Sequence, residues 1–165
     1  MTSVCSRERP AVTSVFYSHN FPATADQRRL VALTEHWLCS RGFLCTTAKA
    51  FLASDQPTLA HIRSAIASAD QVLVMAFQRD GDALVDAAAA VKVYQQTSPW
   101  VHMEAAMAFQ LGKRVTLFQQ NSLAASGVFD LGATGLAVTR FDMAASDSDF
   151  MNLLEGALGR TDNIG

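Results

Sequence analysis

The run Gln71-Val-Leu-Val-Met-Ala-Phe77 decides the fold of this chain. A continuous apolar run of this length is typical of a parallel strand that is buried on both faces of its sheet. Residues with helical spacing precede it and predict a helix that Pro57 opens; they are Leu59, Ile62, Ile66 and Ala69. A helix that leads directly into a buried strand is part of a β-α-β unit, so the run predicts a parallel sheet.

The same alternation extends in both directions along the chain. Short β-type runs predict further strands at 13–18, 43–47, 114–118 and 135–141. Apolar spacing and capping residues predict helices at 25–40 and 98–111, and a last helix from Ser146. This order predicts an α/β fold, a flavodoxin-like three-layer sandwich with a five-stranded parallel sheet. We expect a disordered segment at 1–12, a single domain at 13–160 and a tail at 161–165, and we leave 83–96 open between helix and extended chain.

Composition narrows the class of protein. Half of the 165 residues are apolar and 17% are charged, which suits one domain with a real core. The net charge of -2 gives no reason to expect a nucleic acid or an anionic membrane as a partner. The cysteines, Cys5, Cys39 and Cys45, form no C-x-x-C pair, which argues against a disulfide framework and a zinc site. With no secretory signal and no membrane-length apolar run, we expect a cytoplasmic protein.

The predicted helix after Ser98 carries one carboxylate, Glu104, in an unexpected place. On a helical wheel, Glu104 lies almost opposite His102, with Trp100, Met107, Ala108 and Leu111 as its neighbours. A lone carboxylate among apolar side chains costs free energy unless it is paired or lies at a cleft. Two interpretations follow: a structural glutamate with a partner or at a helix edge, or a functional carboxylate that faces a pocket.

Candidate binding residues follow from where ligands bind in such sheets, beyond the carboxyl ends of the strands. The predicted ends carry Tyr17, Ser18, His19 and Phe77, and Ser98 lies before the Glu104 helix. The histidines lack metal-ligand spacing, so we expect no metal. We place His36, His61 and His102 at the surface and keep only His19 as a candidate. Trp100 is expected in the core, although a pocket wall would also suit it.

Three motifs resemble the Toll/interleukin-1 receptor (TIR) domain family. Trp100-Val-His-Met-Glu104, with Ser98 before it, resembles the S-x-W-C-x-x-E-L segment of TIR domains. Val15-Phe-Tyr-Ser18 resembles the first TIR box, and residues 62–77 resemble the TIR helix and third strand. Val101 replaces the usual Cys, Ala105 replaces the Leu, and the segment before Ser98 is longer than in the family pattern.

The run from Glu104 to Val115 is also similar to nucleoside 2-deoxyribosyltransferases and related nucleotide N-glycosidases, which have an E-x-G-x-A-x-x-x-G-K-P-V helix. In both families the helix Glu is the catalytic carboxylate, and both cleave an N-glycosidic bond to ribose or deoxyribose. The resemblances therefore imply that Glu104 is catalytic. They also imply that a small nucleotide binds beside it, at the residues Tyr17, Ser18, His19, Phe77, Ser98 and Trp100.

The TIR resemblance implies a nucleotide hydrolase that uses NAD as a substrate, needs no cofactor, forms a homo-oligomer and, in bacteria, serves antiviral defence. Nicotinamide is already a cationic leaving group, whereas a neutral base needs a proton donor. The candidate donors are His19, Asp80 and Asp82. Two alternatives remain: a deoxyribosyltransferase or nucleotide N-glycosidase with the same Glu, and a non-catalytic nucleotide-binding or signalling module.

Overall fold

A computed structural model describes residues 12–51, 58–79 and 97–159. Several predictions fall largely or wholly outside these residues: the disordered segment 1–12, the tail 161–165 and the ambiguous segment 83–96. Asp80 and Asp82 also lie outside them. Within the described part of the chain, no helix is both long and apolar enough to cross a membrane.

Five parallel strands form one sheet, in the order β2-β1-β3-β4-β5. The strands are β1 (Ser14–His19), β2 (Leu44–Thr47), β3 (Gln71–Ala76), β4 (Arg114–Gln120) and β5 (Val138–Phe141). This is the flavodoxin-like strand order, and it confirms the predicted fold class.

Two strand boundaries differ from the prediction by more than one residue. We expected β4 to end at Phe118, but Gln119 and Gln120 continue it because they pair with Arg140 and Phe141 of β5. The strand β5 begins three residues later than expected, because a short helix ends at Gly135 with a left-handed φ of 70°.

The helices are α1 (Ala25–Ser40), α2 (Thr58–Ser68), α3 (Pro99–Gln110), α4 (Leu131–Thr134) and α5 (Asp147–Leu158). The predicted cap of α3 is confirmed, since the Ser98 hydroxyl accepts a hydrogen bond from the Trp100 N–H at 3.3 Å. Gly112 follows that helix with a left-handed φ of 63°, a conformation that glycine adopts readily after the last turn of a helix. The sequence patterns did not predict α4 or the 3₁₀ turns Ala48–Phe51 and Gly127–Phe129.

The core lies in two layers, one on each face of the sheet. Every residue of β3 is buried, and its side chains alternate between the layers. Leu73 and Met75 pack in the layer under α1 and α5, whereas Val72 and Val74 pack in the layer under α2 and α3. The prediction of a central strand buried on both faces is therefore confirmed.

The connections define where a ligand fits. The chain leaves β1 through α1 to reach β2 on one side, and returns through α2 to β3 on the other side of β1. The direction in which the chain adds strands to the sheet therefore reverses between β1 and β3. Ligands of doubly wound sheets bind at the carboxyl ends of the strands on either side of such a point. The helix α3 packs against both strands, so its first turns border this crevice.

Candidate active site

A cavity of about 160 Å³ opens at the carboxyl ends of β1 and β2. An engineered apolar cavity of about 150 Å³ holds one benzene molecule, so this space admits about one ring. The rest of a nucleotide would lie outside it. The wall is built by Tyr17, His19, Asn20 and Phe21 from β1 and its loop, Thr47, Ala48 and Lys49 from the end of β2, Ile62 from α2, and Ser98, Trp100 and Glu104 from the start of α3.

Glu104 combines burial with access to this cavity. Its side chain is on the cavity wall, yet the residue is only 3% exposed. The Ser18 hydroxyl donates a hydrogen bond to its Oε2. Burial raises the pKa of the Glu104 carboxyl, and the Ser18 hydrogen bond opposes that rise. Glu104 therefore has a structural partner on one side and a cavity on the other, so the helix-edge interpretation is wrong.

Ser18 lies behind Glu104 rather than on the cavity wall. It is fully buried, and β1 directs its side chain toward α3. We expected Ser18 to contact substrate directly, but the structure places it one side chain away from the cavity.

Tyr17 and His19 do reach the cavity, and their rings lie 4.7 Å apart. The Tyr17 hydroxyl donates to the Met75 sulfur at 3.4 Å, and burial raises the Tyr17 pKa far above its usual range. Burial lowers the pKa of His19 below its ordinary value of 6.5, and the positive charge of Lys49 lowers it further. His19 is therefore neutral at pH 7, with its Nδ1 2.9 Å from the Asn20 carbonyl oxygen.

Trp100 lies on the cavity wall with 48% of its surface exposed, so the expectation that it belongs to the core is wrong. It occupies the first turn of α3, at the end of the helix that borders the cavity. Ser98 also reaches the wall, where its side chain caps the same helix.

The structure does not bring Phe77 to the cavity, contrary to our expectation. Phe77 is fully buried and packs edge to face against Phe141, with ring centroids 5.7 Å apart. It continues the alternation of β3, which places it with Leu73 and Met75 on the face opposite Glu104.

His102 is half-buried, so its predicted surface position is also wrong. Its ring meets Phe129 edge to face, with centroids 5.3 Å apart, and burial lowers its pKa. The cause is the unpredicted turn Gly127–Phe129, which covers this side of α3. His36 is exposed as expected, whereas His61 is half-buried, so its predicted surface position is wrong as well.

Two residues that we did not select contribute to the site. Asn20 is buried, and its Oδ1 accepts a hydrogen bond from the Phe77 N–H at 3.0 Å, with the Thr97 hydroxyl 3.5 Å away. It joins the ends of β1 and β3 to the segment that enters α3. Lys49 carries the permanent positive charge among the described residues of the wall. Asn20 directly follows β1 and Lys49 lies two residues after β2, and this position at the carboxyl ends of strands is the signal that would have identified them.

The described ranges contain no cluster of three or more His, Cys, Asp or Glu side chains that is suited to a metal ion. The polar groups of the described wall include a carboxylate, an imidazole, an amide, hydroxyl groups and one ammonium group.

No family model and no curated protein matches the sequence. Solved structures do match. A CMP N-glycosidase from Clostridium botulinum has a TM-score of 0.55 and 14% identity, over 87% of this chain and 98% of its own. A 2-deoxyribosyltransferase from Bacillus psychrosaccharolyticus has a TM-score of 0.52 and 16% identity, over 85% of this chain and 91% of its own.

A conserved protein from Enterococcus faecalis also matches, with a TM-score of 0.53 and 12% identity, over 88% of this chain and 99% of its own. At such low identities the likeness concerns the fold. The chain has the α/β fold that is also found in an N-glycosidase and in a 2-deoxyribosyltransferase.

Proposed function

We propose that this protein cleaves the N-glycosidic bond of a nucleotide or nucleoside, with Glu104 as the catalytic carboxylate. One observation carries the proposal: a buried carboxylate lies on the wall of a ring-sized cavity at the carboxyl ends of a parallel sheet. A fold shared with an N-glycosidase and a deoxyribosyltransferase supports the same chemistry.

The reaction gives Glu104 a defined task. When the bond between C1′ and the base nitrogen breaks, the base takes the electron pair and positive charge develops at C1′. The Glu104 carboxylate either stabilises that charge or forms an ester with C1′, as in glycoside hydrolysis. Water then adds to C1′ and loses a proton, which releases the sugar and, in the covalent case, regenerates the carboxylate. The apolar surroundings of Glu104 strengthen the attraction between its negative charge and the positive charge at C1′.

Only the ionised carboxylate can do this, so the pKa of Glu104 bears directly on activity. A carboxyl ionises as the pH rises through its pKa, and burial raises that pKa for Glu104. We therefore assign to Glu104 the acid limb of the pH profile, along which activity increases with pH, and we expect it at a higher pH than for an exposed glutamate.

NAD is the first specific substrate to test. The W-x-x-x-E resemblance to TIR domains supports it, together with the exposed Trp100 ring on the cavity wall, which offers a flat face to a nicotinamide or adenine ring. Nicotinamide leaves without a proton donor, which agrees with the neutral state of His19 at pH 7.

The second candidate is a nucleotide N-glycosidase or deoxyribosyltransferase. The activities of two proteins with the same fold favour it. A neutral base needs a proton as it leaves. His19 is neutral at pH 7, so Asp80 and Asp82, outside the described residues, are the remaining candidate donors.

One experiment distinguishes these functions. The protein is incubated with NAD, nicotinamide mononucleotide, CMP and a panel of nucleosides and deoxynucleosides, at low and high protein concentration because the TIR resemblance implies assembly. Released bases are measured by chromatography for the wild type, Glu104→Gln and a control, Glu155→Gln. Glu155 lies on α5, on the other face of the sheet, and pairs with Arg41.

Release of nicotinamide that disappears only in Glu104→Gln supports an NAD hydrolase. Release of another base, or exchange of bases between deoxynucleosides, supports the second candidate. Full activity in Glu104→Gln would contradict the proposal. No release from any substrate would favour a binding module instead.

A further inference from the structure

Ser18 is held in a fixed place relative to Glu104. Its strand β1 is hydrogen-bonded to β2 on one side and to β3 on the other, and Ser18 itself pairs with Val74. The residue is fully buried, so its hydroxyl has little freedom to turn toward water. The hydrogen bond to Oε2 of Glu104 therefore links a rigid strand to the helix that carries the carboxylate.

Few other groups near Glu104 favour its ionised form. The ionisable side chains that share the cavity wall are Tyr17 and His19 of β1 and Lys49 after β2, while α2 contributes the apolar Ile62. Burial disfavours the ionised carboxylate, and the Ser18 hydrogen bond is the interaction that favours it.

We propose that Ser18 is a positioning residue: its hydroxyl holds Oε2 of Glu104, so that Oε1 is the oxygen that meets the anomeric carbon. The inference rests on the function proposed for Glu104. Ser18 does not touch the substrate and acts through the carboxylate alone. It fixes the side chain and helps to keep it ionised in an apolar setting.

The chain provides a matched control at the other end of the same strand. The Ser14 hydroxyl also donates to a carboxylate, Oδ2 of Asp70, at 2.7 Å. Ser14 lies at the amino end of β1, away from the cavity. The changes Ser18→Ala and Ser14→Ala therefore remove the same group from the same strand, but only the first removes it from Glu104.

The test compares the pH profiles of kcat/KM for the wild type and both variants. In Ser18→Ala we expect the acid limb to move to higher pH. At pH values below the limb, kcat/KM should be about 10- to 100-fold lower than in the wild type, and this difference should become smaller toward alkaline pH. Ser14→Ala should keep the wild-type limb. The variant Ser18→Thr keeps a hydroxyl and should return the limb toward its wild-type position. An unchanged limb in Ser18→Ala, or an equal displacement in Ser14→Ala, would overturn the inference.

A second readout needs no activity. Carbon-13 NMR follows the titration of the Glu104 carboxyl, which is assigned by its absence from the spectrum of Glu104→Gln. We expect the resonance to titrate at higher pH in Ser18→Ala than in the wild type. If it does so while no substrate is cleaved, the link between Ser18 and Glu104 holds and the proposed function fails. If bases are released but neither readout moves, the function holds and the inference about Ser18 fails.

Discussion

Replacing Glu104 by Gln should reduce kcat strongly and, at neutral pH, increase the free energy of unfolding. Under the proposed function the two effects share one cause, because the charge that would serve the reaction is costly in a site that is 3% exposed. Gln has nearly the same shape, and its amide oxygen can still accept the Ser18 hydrogen bond.

The loss of activity follows from the attraction between the carboxylate and the charge that develops at C1′. A substrate whose sugar ring lies against Glu104 would hold C1′ in van der Waals contact with the carboxylate, about 4 Å away. At an effective dielectric constant of about 20, unit charges at that distance attract by about 4 kcal/mol. A factor of ten in rate corresponds to about 1.4 kcal/mol, so kcat should fall about a thousandfold.

The change in stability has a defined dependence on pH. The folded state raises the Glu104 pKa above its ordinary value of 4.5, so above that value the folded protein retains a proton that the unfolded chain has lost. The free energy of unfolding therefore falls as the pH rises from 4.5 through the raised pKa. Gln has no proton to lose, so the variant should melt above the wild type at pH 7, and the difference should be smaller at pH 4.

Thermal melts at both pH values and base release at pH 7 test this reasoning, with Glu155→Gln as the control. Glu155 is exposed and paired with Arg41, so its replacement should cost about 0–1 kcal/mol and leave kcat unchanged. The reasoning is refuted if Glu104→Gln melts below the wild type by the same amount at both pH values, or if it retains its kcat.

Substitutions of Trp100, Lys49 and Phe77 test the other assignments made above. Trp100→Ala should raise KM about tenfold or more with little loss of thermal stability, whereas Trp100→Phe should retain part of the binding. An unchanged KM in the alanine variant would exclude ring stacking at this position. Lys49→Met should raise KM for phosphate-bearing nucleotides more than for nucleosides, while Arg63→Met on α2, off the cavity wall, should not. An equal rise for both substrate types would exclude a phosphate contact. Phe77→Ala should lower the free energy of unfolding, measured by urea denaturation, by about 3–5 kcal/mol and leave the KM of the folded protein unchanged. A change in KM without a change in stability would contradict the assignment of Phe77 to the core.

The parts of the fold that the sequence predicted are those with a local signature. A strand that is buried on both faces must be apolar throughout, which is why β3 was recognisable from its residues alone. Glu104 was recognisable for the opposite reason, since a charged residue on an apolar helix face needs an explanation.

The errors concern contacts between distant parts of the chain. Nothing in the sequence around His102 indicates that residues 127–129 fold over it, so its burial could not be predicted locally. Trp100 lies in the first turn of α3, and its exposure depends on how the whole helix packs against the rest of the fold. Phe77 is a different case, because its alternation with Leu73 and Met75 already indicated the face opposite Glu104.

The two tryptophans lie in contrasting environments, and this gives the protein an optical signal of its own. Trp37 is 3% exposed and stacks on Phe43, whereas Trp100 is 48% exposed beside Glu104. An aqueous quencher should therefore extinguish the emission of Trp100 and spare that of Trp37, which acts as an internal reference. A ligand that covers the cavity would shield Trp100 and move its emission to shorter wavelength. Occupancy can thus be followed in the unlabelled protein, even for a molecule that is bound and never cleaved.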